Sequence, residues 1–308
     1  MNDMKIFLQA VVILFCLLTG IHANAQFEFS DNAINYSIPW ANGDNEGTGF
    51  NPWVINSTGG SAGTFIGNPA ANGMGTTGIG TTAFGLFGHT GNEVTAIRNF
   101  VVPMLKGDVF EFYWAMNWDA NGGFKGFNLR SGGTEIFNAV NSGFSSQITY
   151  SGVNSGTISN NYGTDPMLVT ITRTEWNEYN ISITRRDPGE GVFSTTLISP
   201  APIDNIRIFI GNQGGSDGNR NIFFNGFHLT KAEPYETNGD LADPRILTGT
   251  SDLTKTGTGN LTLDAANTFT GNTVINENFL IISDDNRLGA VPGSATPAKI
   301  QIGGGVLG

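Results

Sequence analysis

From Val109 to Trp118 the chain alternates strictly. Phe110, Phe112, Trp114, Met116 and Trp118 fall on one side of an extended strand, and Val109, Glu111, Tyr113, Ala115 and Asn117 on the other. The same two-residue period returns in Gly126 to Arg130, Met167 to Arg173, Tyr179 to Thr184, Ile203 to Ile210 and Ile222 to Leu229, with Asn, Gly or Asp-Pro between the runs. Strands of this kind at this spacing predict a two-sheet antiparallel sandwich. Upstream, Asn42 to Gly91 is dominated by Gly, Thr and Asn and predicts long loops between short strands, with Trp40, Trp53, Phe84 and Phe87 as aromatic anchors.

After residue 250 the pattern changes. Runs of three residues (Leu261-Thr262-Leu263, Thr273-Val274-Ile275, Phe279-Leu280-Ile281) are separated by Gly, Asn and Asp, which predicts short strands joined by tight turns, stacked as a solenoid. The positions Gly257, Gly259, Leu261, Thr262, Leu263, Asn267, Phe269, Thr270, Gly271, Thr273, Ile275 and Leu280 resemble the autotransporter-associated β-strand repeat of secreted bacterial passenger proteins. Two places depart from that pattern. Ala265 stands where Gly is common, and Asn278 fills a turn Gly, a position where Asn tolerates the left-handed backbone. Asn286 to Gly293 looks like the connector of such repeats, and Lys299 to Leu307 like the opening of another rung.

The resemblance implies a secreted surface scaffold and carries no chemistry. Asn117 to Asn138, with Arg220 to Leu229, resembles the lectin- or glucanase-like jelly-roll domains at the head of secreted repeat proteins. The expected fold is therefore all-β: an antiparallel jelly-roll β-sandwich followed by the start of a right-handed parallel β-helix. Residues 1–25 are expected as a signal peptide, 26–232 as the sandwich, 233–250 as a linker and 251–308 as the repeat segment. The linker reading rests on Glu233 to Arg245, which is polar and contains two prolines. Residues from about Asp252 onward supply two or three rungs, so further domains beyond Gly308 are expected.

At the N-terminus, Lys5 precedes an apolar run from Ile6 to Leu18, and Ala23-Asn24-Ala25 supplies the small residues read by a signal peptidase. The run is shorter than the ~20 residues needed to span a bilayer, so no membrane insertion of the mature chain is expected and the protein should be extracellular or at the cell surface. Cys16, the one cysteine, lies inside this run, so the mature chain can form neither disulfides nor thiolate metal sites. Abundant glycine (43 of 308 residues) with many Asn and Thr favours strands and turns over helices. The net charge of −11, without basic clusters, argues against a nucleic-acid partner.

The candidate chemistry is sparse. His89 and His228 have no zinc spacing, and the chain has no G-x-S-x-G elbow. A glycosidase needs two carboxylates across the sugar, and the E-x-D-x-x-E run of laminarinase-type enzymes is absent. Asp108 and Asp119 sit at the ends of the best strand, and Glu175 and Glu178 flank a turn around Trp176. No cofactor is expected; Asn117 to Gly123 and Gly211 to Asn219 have the composition of calcium loops, and equally that of ordinary turns. The remaining signal is the polar side of the strands: Glu111, Tyr113 and Asn117, with Asn128 and Arg130 from the next strand and Arg207 from a later one. A sheet face with a ring, amides, a carboxylate and guanidinium groups can stack a sugar and bond its hydroxyls, although a half-solvated outer face has the same composition. The expected function is non-catalytic adhesion or extracellular glycan binding, with Tyr113 as the stacking ring. The alternative is a carbohydrate-active enzyme of the glycoside hydrolase kind, or its substrate-binding domain.

Overall fold

The computed structural model describes residues 27–117, 122–184, 191–214 and 221–308. The expected signal segment, Gln26, Trp118 and Asp119 lie outside them. Strands β1 (Phe27–Asp31), β2 (Val54–Ser57), β3 (Ala62–Gly67), β4 (Ala83–Gly88), β5 (Glu93–Asn99), β6 (Val109–Met116), β7 (Gly123–Ser131) and β8 (Thr134–Gly143) come first. They are followed by β9 (Ile148–Gly152), β10 (Gly156–Ser159), β11 (Met167–Glu175), β12 (Glu178–Thr184), β13 (Val192–Ile198), β14 (Asn205–Gly211) and β15 (Asn221–Lys231). One antiparallel sheet runs β13-β12-β11-β6-β15-β4-β3, and the other β10-β9-β8-β7-β14-β5-β2. Strand β15 is long enough to take two neighbours on one edge, β4 along Asn221–Phe224 and β1 along Phe227–Lys231.

The alternation of β6 decides the core. Phe110, Phe112 and Trp114 are fully buried; Phe112 at 5.2 Å and Trp114 at 5.0 Å meet Phe127 of the other sheet edge-on, while Phe110 packs on Phe100 at 4.8 Å. Ile206, Ile208 and Ile210 of β14 complete the opposite wall. The Gly-rich first part folds as expected of it, since Trp40, Trp53 and Phe84 converge within 5.3 Å of one another. Phe87 is only half-buried, on the outer side of β4. A buried Arg98–Asp31 pair (2.8 Å) sits under Trp53, joined by Tyr36 and Asn45.

Beyond Lys231 the strands become short and parallel: β16 (Tyr235–Thr237), β17 (Leu241–Asp243), β18 (Leu253–Gly257), β19 (Leu261–Leu263), β20 (Thr273–Ile275), β21 (Phe279–Ile282), β22 (Ile300–Ile302) and β23 (Val306–Leu307). Even-numbered strands form one four-stranded parallel sheet and odd-numbered strands another. Register partners lie twenty residues apart over the first steps, as Tyr235 with Lys255 and Lys255 with Ile275. Close stacking needs glycine at the corners: a Cβ on Gly259 would lie 1.8 Å from the Gly239 carbonyl oxygen. Asn267 is buried and bridges the steps, accepting from Leu247 N (2.8 Å) and donating to Arg287 O (2.7 Å). Asn278 takes the left-handed backbone its turn requires (φ 53°). Lys255, fully buried, donates to the carbonyls of Thr256, Gly257 and Glu277, which ties adjacent steps together.

Glu233 to Arg245 is not a linker. It carries β16 and β17, the first step of the parallel stack, and is fastened to the sandwich by buried charges. Asp108 accepts from Lys231 at 2.8 and 3.0 Å, and Lys231 lies 4.4 Å from the Tyr235 ring. Tyr235 donates to Asp243, which also takes both forks of Arg245 at 2.8 Å, and Arg245 covers Phe29 of β1 at 4.4 Å. Of the polar residues that read as solvated chain, Asp243 and Arg245 are a buried pair, while Asn238 and Asp240 do remain exposed.

Burial pushes the Glu233 carboxyl, held by Thr254 N at 2.9 Å, up to about 8, and pushes the nearby Lys231 ammonium down to about 8 despite Asp108. Between the ordinary carboxyl value near 4.5 and about 8, folded Glu233 keeps a proton that the unfolded chain has lost. Its contribution to stability is therefore complete below that window and falls as pH rises through it. Lys231 acts in the opposite sense, above pH 8. Thermal melts from pH 5 to 8 should show a decline in the wild type that Glu233→Gln flattens; parallel curves for the two would rule this out.

Candidate functional site

The six residues expected on one face are divided between the two sheets. Glu111 and Tyr113 lie on the outer side of the β1-containing sheet, with Asn117 just past the end of β6, whereas Asn128, Arg130 and Arg207 lie on the outer side of the other sheet. Alternation fixes inside against outside for each strand but does not say which sheet a strand joins. Strands β6 and β7, consecutive in sequence, take different neighbours: β11 and β15 for β6, β8 and β14 for β7.

Tyr113 is not an open platform. The loop between β3 and β4 folds over it, packing Met74 and Ile79 with Phe223 beneath, and Gly78 (φ +82°) comes so close that a Cβ there would be 2.1 Å from the ring. Glu111 accepts a hydrogen bond from Thr170 Oγ1 at 2.7 Å. The Asn117 carbonyl is taken by Lys125 Nζ (2.5 Å) and Tyr162 Oη (3.2 Å), which fixes the end of β6. Arg130 donates to the Gly133 carbonyl in the β7–β8 turn. The two calcium-like loops run into residues outside those described. Of their described parts, Gln213 is buried and donates to the Phe124 and Gly211 carbonyls at 3.1 Å. Among the described residues no three His, Cys, Asp or Glu side chains are grouped to hold a metal.

Asn128 and Arg207 do meet, and they belong to a larger arrangement. Arg207 donates to Asn128 Oδ1 at 3.1 Å and to Glu93 Oε1 at 2.8 Å, while its guanidinium lies 5.0 Å from the Phe209 ring. Asn128 Nδ2 donates to Asn138 Oδ1 at 2.8 Å, and Asn138 reaches Ser151 Oγ at 3.5 Å. Phe124 flanks Phe209 at 6.0 Å. The result is a continuous polar belt across β5, β14, β7, β8 and β9, with two rings at its side.

Arg207 and Glu93 remain about 30% exposed, so their outer edges meet solvent. The sequence reading missed Glu93, Asn138, Ser151 and Phe209. Each is an outward position of a strand, and only the sheet order, not any local signal, brings them together. Asn128 is only 2% exposed and acts from beneath, orienting Arg207 and Asn138, while Glu93, Arg207, Asn138 and Ser151 can present donors and acceptors in fixed directions to a polyhydroxylated ligand.

Residues 253–277 match the model of the passenger-associated-transport-repeat family. No curated protein matches the chain. Among solved structures it is similar to a sialidase (10% identity, TM-score 0.34), covering 49% of this chain but only 15% of the sialidase. It is also similar to the CBM2 module of the evolved Dit protein of Lactobacillus casei BL23 phage J-1 (15% identity, TM-score 0.38, 68% of this chain and 97% of that one). A third likeness is to the carbohydrate recognition domain of Emp47p (10% identity, TM-score 0.39, 69% and 99%). At TM-scores below 0.5 these likenesses say nothing about a ligand. Among the described residues no helix is long and apolar enough to cross a membrane.

Proposed function

We propose that the protein is a secreted, non-catalytic surface protein whose sandwich binds an extracellular glycan through the belt around Arg207. On this reading the parallel stack is the opening of a right-handed β-helix that aids secretion and displays the head. The observation that carries the glycan reading is the hydrogen-bonded belt Glu93–Arg207–Asn128–Asn138–Ser151 on a sheet face, beside Phe209 and Phe124. The belt contains a single carboxylate, and that one is paired with a guanidinium. Glycoside hydrolysis asks for two carboxylates across the bond, one of them able to carry a proton, so this face favours binding over the enzyme alternative.

Arg207→Ala removes the group that orients both Glu93 and Asn128. Binding to an oligosaccharide array, followed by calorimetry on the tightest ligand, should show affinity lowered by at least about ten-fold, or ~1.4 kcal/mol, with the cooperative fold retained and no sugar released by the wild type. Undiminished affinity in the variant would remove the belt from the proposal, and release of shortened sugars by the wild type would favour the enzyme.

A further inference from the structure

We infer a second saccharide site in the cleft where the end of the sandwich meets the first parallel step. The cleft encloses about 390 Å³, within the ~300–1,000 Å³ typical of small-ligand sites. Four separate segments build it: the β11–β12 turn with Trp176 and Asn177, the loop before β6 with Pro103, the loop before β14 with Pro200 and Pro202, and the β16–β17 turn with Asn238 and Asp240. It exists because Glu233 to Arg245 is docked against the sandwich, and neither part holds it alone.

The chemistry of the walls is that of a sugar pocket. The indole of Trp176 is half-exposed and is braced from behind by Arg173, whose guanidinium lies 5.2 Å from it and donates to the Trp176 carbonyl. Three prolines add rigid apolar surface for the C–H face of a pyranose ring, at little cost in side-chain entropy on binding. Asn177, beside Trp176, and Asn238 and Asp240 from the β16–β17 turn are exposed. One oxygen of Asp240 accepts from Asn260 N at 2.9 Å, which orients the carboxylate. Arg173 lines the cleft and is 4% exposed, yet its Nε is buried without a hydrogen-bond partner. An aromatic plate, amides and one anchored carboxylate suit a neutral hexose or N-acetylhexosamine unit, whose apolar face stacks while its hydroxyls reach the polar rim. An acidic sugar would face Asp240.

This inference shares its ligand class with the proposed function but rests on different residues, so the two separate experimentally. The probes are cello-, chito-, manno- and galacto-oligosaccharides on an array, then calorimetry with the best of them on the full chain, for wild type, Trp176→Ala, Asn177→Ala and Arg207→Ala. Asn177 is exposed and its replacement leaves the packing intact, which guards against a Trp176 variant that fails to fold.

The expected result is that Trp176→Ala and Asn177→Ala each weaken one class of site by ten-fold or more, while Arg207→Ala leaves that class unchanged. If Arg207→Ala abolishes all binding and the two cleft variants bind as the wild type does, the cleft proposal is wrong and the belt stands. Loss in the cleft variants with none in Arg207→Ala would remove the belt and keep the cleft. No binding of any probe by the wild type would overturn both.

Discussion

Replacing Asp243 by alanine should cost about 3–5 kcal/mol of stability, the range found when a buried ion pair is broken from one side. Asp243 is fully buried and receives Arg245 Nε and Nη2 at 2.8 Å, the Arg245 backbone N at 3.0 Å and the Tyr235 hydroxyl. Burial alone would raise its carboxyl, but the adjoining guanidinium outweighs that and holds the carboxyl below its ordinary value, so the carboxylate is charged at neutral pH. In Asp243→Ala the Arg245 cation is left against the Phe29 ring with Lys231 close by, and the first parallel step loses one of its buried fastenings to the sandwich. Urea denaturation is the measurement, with Lys106→Ala as the comparison. Lys106 spans the same junction by pairing with Glu175 at 3.0 Å and Glu236 at 3.8 Å, but from the surface, where such pairs contribute little. Equal losses in the two variants would mean that the buried cluster is not what holds the junction.

Trp53→Ala should be of similar size, about 3–5 kcal/mol, from the large cavity it leaves in a close-packed aromatic cluster. The Trp53 indole is 1% exposed, meets Trp40 at 5.1 Å, Phe84 at 5.3 Å, Phe227 at 5.6 Å and Phe224 at 5.9 Å, and carries Arg98 on its face at 5.0 Å. Truncation therefore removes both apolar contacts and the ring beneath a buried guanidinium. Trp53→Phe keeps a ring in place and should recover a large part of the loss by denaturant titration. If it recovered none, the indole's contribution would lie outside this cluster.

The strands were legible wherever one side of a strand meets the core and the other meets water. The inward ranks of β6, β11, β12 and β14 follow from their alternation, and Phe112 and Trp114 are buried accordingly, whereas a bulge between Asn225 and His228 shifts the phase of β15 so that Phe224 and Phe227, three residues apart, both face the core. The partner of each strand was not legible, because Glu111 and Asn128 have the same local signature on opposite sheets. The belt residues Glu93, Asn128, Asn138 and Arg207 come from strands spread over more than a hundred positions, and hydrogen-bond pairing alone unites them.

Glu233 to Arg245 departs from its sequence reading for a different reason: its one base, Arg245, is buried against Asp243, and polarity in a sequence does not reveal such pairing. One signal was present. Gly239 and Leu241 stand twenty positions before Gly259 and Leu261, the spacing at which β17 and β19 align. Trp176 and Asp240, by contrast, have no local mark of a site, since the cleft arises only where two folded parts touch.

The twenty-residue step sets an exchange between reach and stiffness. Twenty residues of open chain could extend to ~66 Å, while the same length in the parallel stack advances by one strand spacing, ~4.8 Å. With Tyr235 paired to Lys255 and the junction closed by Asp108, Lys231, Asp243 and Arg245, this part of the chain spends its length on fixing direction. A ligand held on the sandwich would feel a lever rather than a tether. A pull on it would be borne by several backbone ladders together, and the angle at which the sandwich presents its faces would be set by the fold instead of being sampled by a coil.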